Sequence, residues 1–158
     1  MSTHIYYNEN DKDETFDLLD KRIEESVKLA SELIVPTIKE KLAVMDVLKE
    51  FVRTKKRIVY GGTSLNEYIK LANPKDAIYN EYNFKDFEFY SPSPAQDMVE
   101  LCDILYKKGF KYINGKEAQH EGTFTIHVNY QTYCDITWMP SRVFHRAKKQ
   151  LIKDIAYV

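Results

Sequence analysis

The 158-residue sequence is poor in the residues that usually announce a function: two cysteines, four histidines and one tryptophan, with charges that nearly cancel at −1. Cys102 and Cys134 lie among apolar residues with no CxxC spacing, so buried free thiols in a reducing compartment are expected, not a disulfide framework. No Cys/His spacing suits zinc, and Ser and His form no triad pattern. Neither GxxxxGK[ST] nor GxGxxG occurs, which excludes those two phosphate-binding loops. Lys+Arg 23 against Asp+Glu 24 excludes a uniformly basic nucleic-acid binder and leaves room only for a local basic patch. The opening MSTHIYYNENDKDE is polar and acidic, unlike a signal peptide, and no apolar run nears the roughly 18 residues of a membrane span. The expectation is a soluble, cytoplasmic protein without a membrane partner. Internal repeats, low-complexity segments and clear linkers are also lacking.

What remains is an ordinary globular balance, 44% hydrophobic and 30% charged, at a one-domain length. Residues 1–13 are polar. Phe16, Leu19, Ile23, Val27, Ala30 and Ile34 then fall at helical spacing, and Ile38, Leu42, Met45, Leu48 and Val52 repeat it after Pro36. These predict two amphipathic helices, about 14–34 and 36–54. Arg57–Tyr60 reads as a short strand, broken by Gly61-Gly62. A helix is expected from about Thr63 to Leu71, a loop over 73–83, a strand over 84–90 and a helix over 95–108 ended by Gly109. FKYING suggests a short strand, and GTFTIHVNYQTYCDITWMP alternates around a turn near Asn129–Gln131 as a hairpin does. The basic and apolar tail, from Ser141 to Val158, carries no element assignment. The order gives an α+β fold: a small mixed sheet with flanking helices, preceded by a helical hairpin. Residues 1–54 are expected to form the tail and hairpin packed on a domain of residues 55–158.

The decapeptide KDFEFYSPSP puts acids inside a strand pattern. Faces alternate along a strand, so Phe87 and Phe89 share one side and Asp86, Glu88 and Tyr90 the other. Two carboxylates about 7 Å apart repel unless water, protonation or a cation intervenes. A hard divalent cation such as Mg²⁺ takes oxygen ligands of this kind. In TYCDITWMP, Cys134, Ile136 and Trp138 alternate with Tyr133, Asp135 and Thr137. If that strand neighbours Asp86–Tyr90, three carboxylates converge; otherwise Asp86 and Glu88 sit on a solvated sheet face. Upstream, YGGTSLN is a strand, two glycines, two hydroxyl residues and a helix start. Backbone N–H groups there, with the helix's positive end behind them, suit an anion, and Thr63 and Ser64 add donors. A structural turn is the plainer reading of the glycines alone. Together, a phosphate-holding turn and a carboxylate cluster are the parts that nucleotidyl transfer with two metal ions requires.

A Gly-Gly turn, an acid-x-acid strand and a single later acid resemble the DNA polymerase β-like nucleotidyltransferase superfamily, whose palm-like sheet is the implied fold. More closely, YGGTSLNEYI, KDFEFYSPSP, AQHEGTFTIHVN and DITWMP look like the catalytic subunit of giant-virus poly(A) polymerases, over about Arg57 to Pro140. The resemblance implies template-independent addition of AMP from ATP to RNA 3′ ends with Mg²⁺ or Mn²⁺, in host cytoplasm or virion. It implies Asp86, Glu88 and Asp135 as catalytic metal ligands, and Gly61, Gly62, Thr63 and Ser64 as the nucleotide-binding turn. The pair here is Asp-x-Glu where Asp-x-Asp is common. Family members also carry a further large domain, so the chain reads as a portion of a longer enzyme or as a reduced relative. A nucleotidyltransferase of another substrate, or an inactive dimerisation or RNA-binding module, is the alternative, and a homodimer is left open.

Other residues carry weaker signals. His127 reads as a satisfied or exposed histidine, and His120, just before the hairpin, is either a plain surface histidine or a contact for RNA or phosphate. Lys55, Lys56 and Arg57, and Arg142, Arg146, Lys148 and Lys149, form either solvated surface or phosphate contacts. Tyr60, Tyr90 and Trp138 are core aromatics or base-stacking groups.

Overall fold

The computed structural model describes residues 18–29, 38–79 and 86–158. The chain falls into two compact units, Met1–Val35 and Pro36–Val158. In the first, residues 18–29 are helical (α1), inside the span that the apolar stripe predicts; the remainder of that span lies outside the described residues.

The second unit opens with α2 (Ile38–Lys55), whose Val44, Met45, Val47, Leu48, Phe51 and Val52 are buried. Its stripe is broader than the predicted one, and the first stripe residue, Ile38, stays about half exposed at 49%. Strand β1 (Ile58–Val59), helix α3 (Gly61–Ala72) and one 3-10 turn (Pro74–Asp76) follow. Then come β2 (Phe87–Ser91), α4 (Pro94–Lys107), β3 (Asn114–Glu117), β4 (Thr123–Val128) and β5 (Gln131–Trp138). Helix α5 (Ser141–Arg146) and strands β6 (Gln150–Ile152) and β7 (Ile155–Tyr157) complete the unit. This is the expected α+β class with a mixed sheet. The strand order is β3-β4-β5-β2-β1-β7-β6, with β2–β5 and β1–β7 parallel and the other neighbours antiparallel.

One sheet face is the core. Phe87, Phe89, Ile126, Cys134 and Ile136 are fully buried there with Leu48 and Val52 of α2 and Leu101 and Leu105 of α4. Each of these aliphatic and phenyl side chains contributes about 1.5–3 kcal/mol by leaving water. On the opposite face, Phe144 of α5 covers Ile58 and Ala156, with Tyr90 at the margin. Cys102 and Cys134 are free, as their spacing suggests, and burial drives the Cys134 thiol well above its usual range.

Three local features depart from the sequence reading. The strand expected in FKYING lies further on, at Asn114–Glu117, because Tyr112 turns the chain with φ of 50°. A β-bulge interrupts the β4–β5 ladder: Ile126 faces Cys134 but His127 faces Thr132, leaving Tyr133 as the extra residue. Strict alternation put Tyr133 beside Asp135; the bulge turns it inward to 3% exposure. Finally, the unassigned tail forms the hairpin β6–β7 through Lys153-Asp154, both left-handed (φ 49° and 63°). Among the described residues no helix is long and apolar enough to cross a membrane.

The start of β1 is clamped to α4 by a buried bidentate pair. Arg57 Nε donates to Asp97 Oδ2 at 2.6 Å and Nη2 to Oδ1 at 2.8 Å, while Nη1 reaches the Lys55 carbonyl at 3.1 Å. The Asp97 side chain is only 3% exposed, so Asp97→Ala strands a cation and is expected to destabilise by about 3–5 kcal/mol in urea denaturation. The double change Arg57→Met/Asp97→Leu should recover most of that loss. Tyr60, Tyr133 and Tyr157 are each pushed up to about 12, chiefly by burial. The folded state therefore holds three phenolic protons that the unfolded chain releases near pH 10. Stability is expected to be intact below pH 10 and to fall progressively from there to about 12. Denaturation midpoints across that range, with phenolate absorbance as the second readout, test this.

Candidate active site

Parallel pairing of β2 with β5 sets Phe87 against Cys134, Glu88 against Asp135, Phe89 against Ile136 and Tyr90 against Thr137. The two strands the acids occupy are thus direct neighbours, and the acids face away from the core. Asp86 lies just before β2, exposed, while Glu88 and Asp135 are half-buried. Asp86 and Asp135 line one open cavity of about 560 Å³ with Lys116, Thr125, His127 and Thr132. Thr125 Oγ1 donates to Asp135 Oδ1 at 2.6 Å, orienting that carboxylate.

The third acid is drawn elsewhere. Helix α3 begins at Gly61, two residues earlier than expected, so both glycines belong to its first turn. The Gly62 N–H donates to Glu88 Oε2 at 3.3 Å. Gly61 has φ of +69°, and a Cβ there would stand 2.0 Å from Glu88 Oε2. The anion-seeking end of α3 therefore holds the protein's own carboxylate. Among the described residues no three His, Cys, Asp or Glu side chains are gathered as a ready cation cage. The donor set is nonetheless all hard oxygen, suited to Mg²⁺ or Mn²⁺.

Thr63 is half-buried beside the turn. Ser64 is 1% exposed, and its Oγ donates to the Val158 carbonyl at 2.6 Å, so that hydroxyl ties the last strand's end to α3. Asn66, which carries no signal in the sequence, organises the outer wall. Its Oδ1 accepts from the Ile78 and Tyr79 N–H groups at 2.8 and 2.9 Å, and its Nδ2 donates to the Tyr79 carbonyl at 3.0 Å. The Tyr79 ring then lies 3.2 Å from where a Cβ of Gly62 would project.

Tyr60 stacks on Tyr90 with centroids 4.0 Å apart, and its hydroxyl is hydrogen-bonded to Thr137 Oγ1 at 2.7 Å. These two rings serve each other. Trp138 is 54% exposed. His127 borders the acid cavity, and burial, then Lys116, lowers its pKa. His120 is exposed. Of the basic residues weighed as phosphate contacts, Arg57 is committed to Asp97 and Lys55 to Glu100. Arg142, Arg146, Lys148 and Lys149 lie exposed on and after α5.

The family model described as poly(A) polymerase catalytic subunit matches residues 46–158. A protein of Acanthamoeba polyphaga mimivirus named for that subunit is 53% identical over 152 residues, 96% of this chain and 26% of its own length. A protein of the same name from African swine fever virus (isolate Pig/Kenya/KEN-50/1950) is 35% identical over 73% of this chain and 24% of its own length. The crystal structure of the Megavirus polyadenylate synthase superposes with a TM-score of 0.76 at 51% identity, covering 99% of this chain and 32% of that one. The chain spans about a quarter of the length of the curated relatives it matches.

The approach of Glu88 to Gly61 yields a test. Gly61→Ala combines a left-handed backbone, costing about 1–2 kcal/mol for an L-residue, with expulsion of the Glu88 carboxylate from the turn. A stability loss of at least that size is expected in thermal denaturation, larger than for Gly109→Ala, where a Cβ meets nothing within 4 Å.

Proposed function

Because the chain belongs to the poly(A) polymerase catalytic subunit family, we propose that it supplies the catalytic palm of a template-independent enzyme that adds AMP from ATP to RNA 3′ ends. Residues 55–158 would be that palm, with α2 covering its core face. The observation that carries the reading is the β2–β5 register, which sets Glu88 beside Asp135 on the face where Asp86 and Asp135 share a cavity.

In this reading Gly61, Gly62 and Thr63, at the positive end of α3, receive the triphosphate of ATP. A phosphate there competes with Glu88 for the Gly62 N–H. Displaced from that N–H, the Glu88 carboxylate would turn toward Asp135 across the ladder and Asp86 at its mouth. Thr125 keeps Asp135 oriented through one oxygen, which leaves the other for a ligand. When bound to these three carboxylates, Mg²⁺ or Mn²⁺ supplies Lewis-acid activation of the RNA 3′-hydroxyl and neutralises charge on the leaving pyrophosphate. Ser64 acts indirectly, by fixing the start of α3 against β7 through Val158. Glu in place of the more usual second Asp suits this arrangement, since the longer side chain spans from the ladder to the turn.

The test is incorporation of labelled AMP onto an RNA primer by the full-length protein with Mg²⁺ or Mn²⁺. Asp86→Ala, Glu88→Ala and Asp135→Ala are each expected to lower incorporation more than about a hundredfold, the upper range for losing even an outer-shell metal partner. Chelation should abolish it. Absence of incorporation by the intact protein, or preference for another nucleotide in competition, would overturn the assignment.

A further inference from the structure

Two tyrosines outside the carboxylate site are placed as no core residue would be. Tyr112 precedes β3 and Tyr130 sits at the tip of the β4–β5 hairpin, 51% and 63% exposed. Their rings stack with centroids 5.4 Å apart and planes 26° from parallel. Both have left-handed backbones, φ of 50° and 63°, which bulky side chains seldom adopt. At the second, Asn129-Tyr130 occupies a two-residue turn whose favoured second residue is Gly. The tip is held firmly: the Asn129 N–H reaches the Lys111 carbonyl at 3.4 Å, and its Nδ2 donates to Glu40 of α2. Strain retained by a braced, solvent-facing aromatic pair is a mark of a functional surface.

The location supplies the function. Tyr112 and Tyr130 border a cavity of about 410 Å³ with Ile113, Asn114, Lys116 and His127. Lys116 and His127 also line the cavity of Asp86 and Asp135, so the two spaces adjoin across those side chains. We propose that the Tyr112–Tyr130 stack is a platform for the bases of single-stranded RNA approaching the carboxylates, with the Lys116 ammonium pairing a backbone phosphate between platform and site. This rests on the polymerase reading above. A base stacks on the exposed ring face whatever its identity, as a site that must accept any RNA 3′ end before the added adenosines follow it requires. Lys116 offsets the repulsion between phosphates and the acids beside it.

The measurement is fluorescence anisotropy of a short 5′-labelled single-stranded RNA bound to the full-length protein, without ATP and with metal chelated. Tyr130→Gly is expected to weaken binding about five- to 150-fold. Because glycine suits a left-handed turn, its melting temperature should equal or exceed the parent's, which separates lost stacking from lost folding. Tyr130→Phe keeps the ring and should bind as the parent does. Lys116→Ala should weaken binding and reduce the slope of log affinity against log salt by about 0.7, one single-strand phosphate. The idea is overturned if Tyr130→Gly binds RNA as tightly as the parent, if Tyr130→Phe is as weak as Tyr130→Gly, or if ATP binding falls in parallel with RNA binding. Normal RNA binding by Tyr130→Gly, with AMP incorporation lost in Asp135→Ala, would sink the platform and leave the polymerase reading standing. Weakened RNA binding by Tyr130→Gly, with no AMP incorporation by the parent, would do the reverse.

Discussion

The parallel ladder between β2 and β5 is the constraint on which the rest depends. Phe87 and Phe89 on one strand, and Cys134 and Ile136 on the other, must all face α2 and α4 to close the core. A slip of one residue would carry Asp135 into that core and expose Cys134 and Ile136, a cost of several kcal/mol in buried charge and lost apolar contact. Register is therefore set by hydrophobic burial, and the carboxylates are brought together as its consequence. Their repulsion is tolerable because the face they occupy is open to water and because Glu88 is drawn to the Gly62 N–H.

In the proposed reading that hydrogen bond gives the site two states. The same backbone N–H suits a carboxylate of the protein or a phosphate of a ligand, and α3's dipole favours either anion. Gly61 is needed for close approach as much as for its left-handed φ, since the Glu88 carboxylate fills the space a Cβ would use. Around this centre, anchors come from remote parts of the chain: Asn66 fixes Tyr79 over Gly62, Ser64 binds Val158, and Arg57 holds Asp97.

The bulge at Tyr133 divides the acid face from the aromatic edge. It turns a tyrosine inward and brings Thr132 opposite His127, so that both border the cavity of Asp86 and Asp135. Beyond it the hairpin tip carries Tyr130 toward Tyr112. One inserted residue thus sets Thr132 opposite His127 in the polar cavity wall.

Much of this is legible in the sequence. Helical spacing located α2 and α4, the two glycines marked the end of β1 although α3 starts at them and not at Thr63, and period-two alternation placed Asp86 and Glu88 opposite Phe87 and Phe89. These are local consequences of backbone geometry and solvent preference, which a sequence records directly. The hairpin β6–β7 was not legible because Lys153-Asp154 is not a usual left-handed turn pair and its strands are only three residues long. The inward turn of Tyr133, the commitment of Ser64 to Val158 and the pairing of Arg57 with Asp97 were hidden for another reason. Each depends on a partner in a distant segment. By itself the sequence determined which residues could be acids on a strand face and where two glycines end a strand ahead of a helix. Only the tertiary structure decided that Glu88 stands beside Asp135 and under Gly62, because strand neighbours are chosen by burial across the whole sheet and not by adjacency in the chain.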